Sequence, residues 1–278
     1  MRLGVMTRVF ERPTIEEVAT AIAAAGLSAV QLSLESAGLE PLPASISNDD
    51  CARIRRAFAD RGISISAVSG TFNAIDPDVR QRTEAIRRVG MLAGRCRDLD
   101  SSVITLCTGT RHPTNMWRHH PANAEPAAWA DCVATMRALS AYAEEAGVML
   151  AFEPEVVNVV DTAEKAVRLI EEVGSPALRV VMDPANYFHP PMLTRVSAVI
   201  EEAFALVGNY IALAHAKDVR GPNPGGDECV RPAAGTGVLD YTTYLRLLTA
   251  SGYAGGLIMH SLSESEVASS KAYVERYL

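Results

Sequence analysis

The chain has 278 residues, 48% of them hydrophobic and 21% charged, with a net charge of -7 at pH 7. That balance suits a globular fold and gives no electrostatic reason to bind nucleic acid or an anionic membrane surface. Five cysteines, Cys51, Cys96, Cys107, Cys132 and Cys229, are odd in number and form no Cys-x-x-Cys pair, which argues against a disulfide framework and for reduced thiols in a cytoplasmic protein.

The first predicted element is the apolar run Leu3–Met6; charge returns at Arg8, too soon for a signal peptide. Further runs follow at Ala29–Leu32, Ile63–Val68, Val103–Leu106, Val148–Phe152, Leu178–Met182, Tyr210–Ala214 and Leu257–Met259, making eight. Each is short and continuous, as in strands buried on both faces, and none approaches the ~20 apolar residues of a membrane span. Amphipathic helical stretches lie between them. One covers 79–98, with Ile86, Val89, Ala93 and Cys96 on one stripe; a second covers 126–146, with Trp129, Val133, Met136 and Leu139. A third covers 162–173, with Ala166, Leu169, Ile170 and Val173. Thr14 and Glu17 have capping-box spacing, and Asp161 is placed to start the third helix.

Eight strand–helix units with no block left over predict a (β/α)8 TIM barrel, with residues 1–278 as one domain. An open doubly wound sheet would want a Gly-rich turn after the first strand, and MTRVFERP has no glycine.

Barrel enzymes carry their chemistry at the C-terminal ends of the strands. Here the fifth strand ends on Glu153 (LAFEPE), the sixth on Asp183 (VVMDPAN), the seventh on His215 (ALAHAKD) and the eighth on His260 (LIMHS). One polar strand end merely meets water; four in succession point to a shared divalent-metal site. All six histidines fall at strand ends or in the loops after them, with His119 and His120 read as rim residues and His189 as an undecided candidate. Lys217 shares a face with His215 by strand alternation, as a substrate contact or as the partner of a loop carboxylate. A desolvated lysine there also keeps a metal-free Schiff-base lyase in view. Arg111, Arg220 and the Gly235-Thr236-Gly237 turn are candidates to hold a phosphate or carboxylate. Trp117 is a candidate to stack on a sugar ring, with loop packing as the alternative.

In order and spacing, FEPE, MDPAN, AHAKDV and GTGVLDY resemble the xylose-isomerase-like barrel superfamily. The CTGTR…MW loop and the LIMHSLSESEV ending resemble its sugar phosphate isomerase/epimerase branch. The resemblance implies one divalent metal ion held by Glu153, Asp183, His215 and, where the family has a glutamate, His260. It implies also that Glu153 and the strand-eight residue form an acid/base pair. With His260 there, two-base epimerisation requires His260 to serve as a base, or Glu264 or Glu266 to swing in. Two carboxylates and two imidazoles favour Mn, Co or Zn over Mg, and metal affinity is expected to fall between about pH 7 and 5.5, near the ordinary histidine pKa of ~6.5.

The activity so implied is that of a metal-dependent sugar isomerase or epimerase acting on a polyhydroxylated carbonyl compound. The metal would hold an enediolate while Glu153 or His260 moves the proton. A keto-sugar dehydratase or lyase, by β-elimination after the same first step, is the alternative; a non-catalytic sugar-binding barrel is the third reading. The expected partner is a small sugar, not nucleic acid or membrane, and a homo-oligomer is compatible with the sequence. The superfamily also holds apurinic endonucleases, which carry a His three residues after the strand-six Asp, where this chain has Asn186. With that change and the net charge of -7, purified protein is expected to leave abasic-site DNA uncut. Incision abolished by a chelator would overturn this.

Overall fold

The computed structural model describes residues 1–278. Its strands are β1 (Arg2–Met6), β2 (Ala29–Leu32), β3 (Ser64–Ser69), β4 (Val103–Cys107), β5 (Met149–Glu153), β6 (Leu178–Met182), β7 (Ile211–Ala216) and β8 (Gly256–Met259). Between and after them run α1 (Ile15–Ala24), α2 (Asn48–Ala59), α3 (Val79–Arg95), α4 (Pro126–Ala146), α5 (Ala163–Val173), α6 (Val196–Val207), α7 (Tyr241–Ala250) and α8 (Val267–Val274). The strands are parallel and pair in chain order, and β1 pairs with β8 to close the ring. This is the predicted (β/α)8 barrel, with strand bounds within two residues of the apolar runs.

Local chemistry sets the helix starts. Thr14 caps α1 by accepting from the Glu17 amide at 3.3 Å, as its spacing predicts. The cap of α5 is Thr162 rather than Asp161: Thr162 accepts from the Lys165 amide at 3.2 Å. Asp161, one residue further out, pairs instead with the Lys165 ammonium at 2.8 Å.

Strand alternation divides the core in two. A large cluster, including Val30, Val68, Ile104, Phe152, Val180 and Leu257, packs between strands and helices. A second cluster fills the barrel itself with one residue from each strand: Met6, Ala29, Ala67, Val103, Ala151, Val181, Leu213 and Ile258. Register shifts between Val30 and Gln31, and between Val180 and Val181, each admit one extra residue in the neighbouring strand.

Barrel closure requires close approach of β1 and β2 at Gly4. A Cβ there would lie 2.3 Å from the carbonyl oxygen of Ala29 and 2.6 Å from its carbonyl carbon, backbone atoms that cannot move aside. Gly4→Ala is therefore expected to cost about 1–3 kcal/mol by overpacking, lowering Tm by several degrees in a thermal melt. An unchanged Tm would show that β1 and β2 can part without loss.

Candidate active site and metal centre

Two residues beyond the apolar plug, every strand turns another side chain into the mouth of the barrel. These are Arg8, Gln31, Ser69, Thr105, Glu153, Asp183, His215 and His260, all of them polar. Asp183 and His215 are buried, at 1% and 2% exposure, and Lys217, one further alternation along, is buried at 4%. Above them opens a cavity of about 410 Å³, lined by Glu153, His215, Lys217 and His260 and reached also by Arg8, Glu155, Trp117 and Arg231. A cleft of about 480 Å³ beside Asp76, Arg82 and His112 is separate and contains none of the predicted ligands.

Gln31 organises the layer. Its amide nitrogen donates to Ser69 Oγ and Thr105 Oγ1, both at 3.0 Å, so its oxygen is left to accept from His215 Nε2 at 2.8 Å. In the neutral ring this places the proton on Nε2 and leaves an Nδ1 lone pair facing the carboxylates, the outer-shell arrangement typical of metal-ligating histidines. His215 Nδ1 lies 3.4 Å from Glu153 Oε1 and 3.4 Å from Asp183 Oδ2. Ligand atoms around a tetrahedral ion with bonds of ~2.1 Å stand about 3.4 Å apart. Both His215 Nδ1 and Asp183 Oδ2 are buried without a hydrogen-bond partner. Ligand atoms of Asp183, His215 and His260 all lie within 4.8 Å of one another. On these grounds the residues fit a divalent ion, with Glu153 holding the side toward the cavity.

The charges around this point are strongly coupled. Lys217 Nζ sits 2.9 Å from Asp183 Oδ2, in ionic contact but without hydrogen-bond alignment, and 3.6 Å from Glu153 Oε1. Burial opposes the charge on Asp183, yet Lys217 and then His215 outweigh it and hold the carboxyl well below its usual range. Burial likewise opposes a charged His215, but Glu153 and Asp183 prevail and raise it to about 9. His260 goes the other way: burial, reinforced by Lys217 and His215, pushes it well below the usual imidazole value and leaves it neutral. Its ring stacks on His215 with centroids 5.1 Å apart, its Nδ1 meets Ser261 Oγ at 3.0 Å, and its Nε2 meets Arg8 at 3.4 Å.

Other predicted residues are placed differently. Arg111 is turned away from the cavity: its guanidinium is spent on Asp131 at 2.6 Å and on the carbonyl of Ile75 at 2.7 Å, pinning the β4–α4 loop. Arg220 pairs through its backbone with Val230 and does not line the cavity. His189 borders another pocket, with Tyr187 and Met192. Trp117 is 53% exposed at the cavity rim. The Gly235-Thr236-Gly237 turn offers no phosphate cradle, because Asp218 already takes the amides of Gly235 at 2.9 Å and Leu239 at 2.8 Å. Glu264 pairs with Arg12 at 2.6 Å and Glu266 accepts from the Ser263 amide at 2.8 Å, and neither lines the cavity. Sequence reasoning missed Gln31, whose one signal was an amide inside an apolar strand. It also missed Glu155 and Arg231, which stand in loops without a periodic pattern.

The His215 environment moves the expected pH dependence. A proton on His215 must leave before Nδ1 can ligate, so affinity for Mn2+ should rise about tenfold per pH unit up to about pH 9, rather than level off above 7. Calorimetry across pH 6 to 8.5 should find close to one proton released per ion bound at pH 7; a flat profile above 7 would contradict the coupling. Lys217→Met removes the cation that shares Asp183 and Glu153. Metal affinity should rise about tenfold, ~1.4 kcal/mol, while the chelated protein, left with unpaired buried charge, melts lower. Both quantities unchanged would mean that Lys217 does not balance the site.

No curated protein matches the sequence. Among solved structures, the 3-keto-D-glucoside 4-epimerase of E. coli superposes with a TM-score of 0.74 at 15% identity, covering 99% of each chain. The IOLI protein with a bound zinc atom gives 0.73 at 18% identity, covering 100% of this chain and 99% of that one. A xylose isomerase-like TIM barrel protein of Mycobacterium smegmatis, in complex with magnesium, gives 0.72 at 17% identity, covering 99% of this chain and 96% of that one. At such identities the likeness is one of fold. The family described as xylose isomerase-like TIM barrel matches residues 19–275, and the chain belongs to that family.

Proposed function

We propose that this protein is a metal-dependent isomerase or epimerase of a small sugar or sugar derivative, working by proton transfer at the carbon beside a carbonyl group. The observation that carries the reading is the meeting of Glu153, Asp183 and His215 at ligand spacing, with two buried atoms that make no hydrogen bond, beneath a polar cavity. Structural neighbours with an epimerase activity, a bound zinc and a bound magnesium are consistent with it. The free, buried cysteines support a reducing compartment, the cytoplasm.

Glu153, Asp183 and His215, with His260 as the fourth ligand, would hold the ion, and the mixed set favours Mn, Co or Zn. When bound, a divalent ion polarises a carbonyl and an adjacent hydroxyl. The protein's own groups do the rest. Asn186 Nδ2 donates to Glu153 Oε1 at 2.5 Å, orienting a carboxylate that faces the cavity and serves as the base for the C–H proton. His260, kept neutral by burial, has a single lone pair, which it gives to the ion as fourth ligand or, where three ligands suffice, to a proton. Lys217 stays charged because its carboxylate neighbours outweigh burial, and it is placed to donate to a substrate oxygen. Trp117 and Met116 border the opening and limit the water that reaches it.

The test is deuterium wash-in. Aldoses and ketoses incubated with the Mn2+-loaded protein in D2O should take up deuterium at the carbon next to the carbonyl, read by NMR. Glu153→Gln should slow that exchange by about 10²–10⁴-fold, the usual worth of a general base, while leaving the far-UV spectrum unchanged. No exchange into any sugar by the wild type, or undiminished exchange by the variant, sinks the proposal.

A further inference from the structure

Of the three Lys and Arg side chains that line the cavity, Arg8, Lys217 and Arg231, only Lys217 is paired with a carboxylate, and Arg231 is the one whose guanidinium nitrogens are left buried without a partner. Lys217 has Asp183, while Arg8, at the exposed rim, leans on the neutral ring of His260. The guanidinium of Arg231 gives a single hydrogen bond, from Nη1 to the carbonyl of Cys229 at 3.2 Å. Its Nε and Nη2 are buried with no partner at all. Those two nitrogens form one edge of the planar fork, with parallel N–H vectors spaced to meet both oxygens of one carboxylate or phosphate. Leaving them dry and unbonded costs the full desolvation penalty of a charged donor pair, so the edge is set for something the protein does not supply. Glu155 lines the same cavity but forms no ion pair with Arg231; its carboxylate accepts from Asn158 Nδ2 at 3.4 Å.

We infer that the substrate is a sugar derivative bearing an oxyanion, a carboxylate or a phosphate, and that Arg231, which lines the cavity, receives this group by turning its unpartnered Nε–Nη2 edge toward it. The sequence pointed for that role to Arg111, Arg220 and the Gly235–Gly237 turn, all of which are engaged or turned elsewhere. Arg231 stands where the long β7–α7 connection returns to the barrel, on the same cavity as Glu153 and His260. A ligand whose charged end meets Arg231 therefore lies within reach of the proton-moving groups. The inference rests on the proposed sugar chemistry for the kind of molecule, but not for the contact itself.

Binding is measured by calorimetry on the Mn2+-loaded protein with three probes: a hexose, the corresponding hexuronate and the hexose 6-phosphate. The wild type should bind one of the charged probes at least tenfold more tightly than the neutral one; which of them wins tells carboxylate from phosphate. Arg231→Gln should lose about 30-fold or more of the charged probe's affinity and little of the neutral probe's, bringing the two close to parity. Arg231→Lys keeps the charge without the two-pronged edge and should recover only part of the preference, which also covers failure of the Gln variant to fold. Equal binding of all three probes by the wild type, or a preference that survives in Arg231→Gln, overturns the inference. Binding is read without turnover, so a protein that prefers the charged probe yet exchanges no proton refutes the reaction and leaves the Arg231 contact standing.

Discussion

A strand that turns one side chain into a closed barrel must turn the side chain two residues on into it as well. When eight strands close on one another, all eight obey this together. The apolar plug, one residue per strand from Met6 to Ile258, thus determines which eight positions form the floor of the cavity. The plug must be apolar because no water reaches it; the next layer is free to be polar because the mouth lies above. Glu153, Asp183, His215 and His260 converge because Ala151, Val181, Leu213 and Ile258 converge beneath them. Candidate site and plug share one scaffold, with the four candidate ligands at or within one residue of the strand ends.

Within that layer, charge is balanced to unusual depth. Asp183 is almost fully buried, and an isolated carboxylate there would be too costly to keep ionised. Lys217 and His215 keep it charged, and Gln31 ties His215 to three other strands through Ser69, Thr105 and its own backbone. The two imidazoles are stacked 5.1 Å apart but held in opposite protonation states, His215 charged by its carboxylates and His260 neutral by burial and by its cationic neighbours. Two identical groups are thus given different charge states by their surroundings alone.

The barrel was legible in the sequence because its signal is redundant: eight apolar runs at similar spacing tolerate an error in any one of them. The four strand-end residues were legible for the same reason, since each follows its run by a fixed step. Arg111, Arg220 and His189 were harder to place because a loop residue has no period to say which way it points. The outcome depends on partners such as Asp131 for Arg111, 20 positions away in the sequence. Gln31 lay inside a strand that already fitted an apolar reading, so its polarity was absorbed rather than weighed. Arg231 belongs to a connection whose path only the fold reveals.

That connection is fastened at its base. Asp218, wholly buried, holds the amides of Gly235 and Leu239, while its own amide donates to the carbonyl of Pro232 at 2.8 Å and the Val238 amide donates to that of Val219 at 2.8 Å. Gly237 is required there because a Cβ would fall 2.3 Å from the carbonyl oxygen of Val219. Beyond this clasp the Arg220–Val230 bridge carries an exposed tip over residues 223–228. The arrangement works like an interchangeable head on a fixed handle. Chain can be added or removed at the tip without disturbing Lys217 or His215, so descendants of this sequence can change what the cavity admits while inheriting its floor intact.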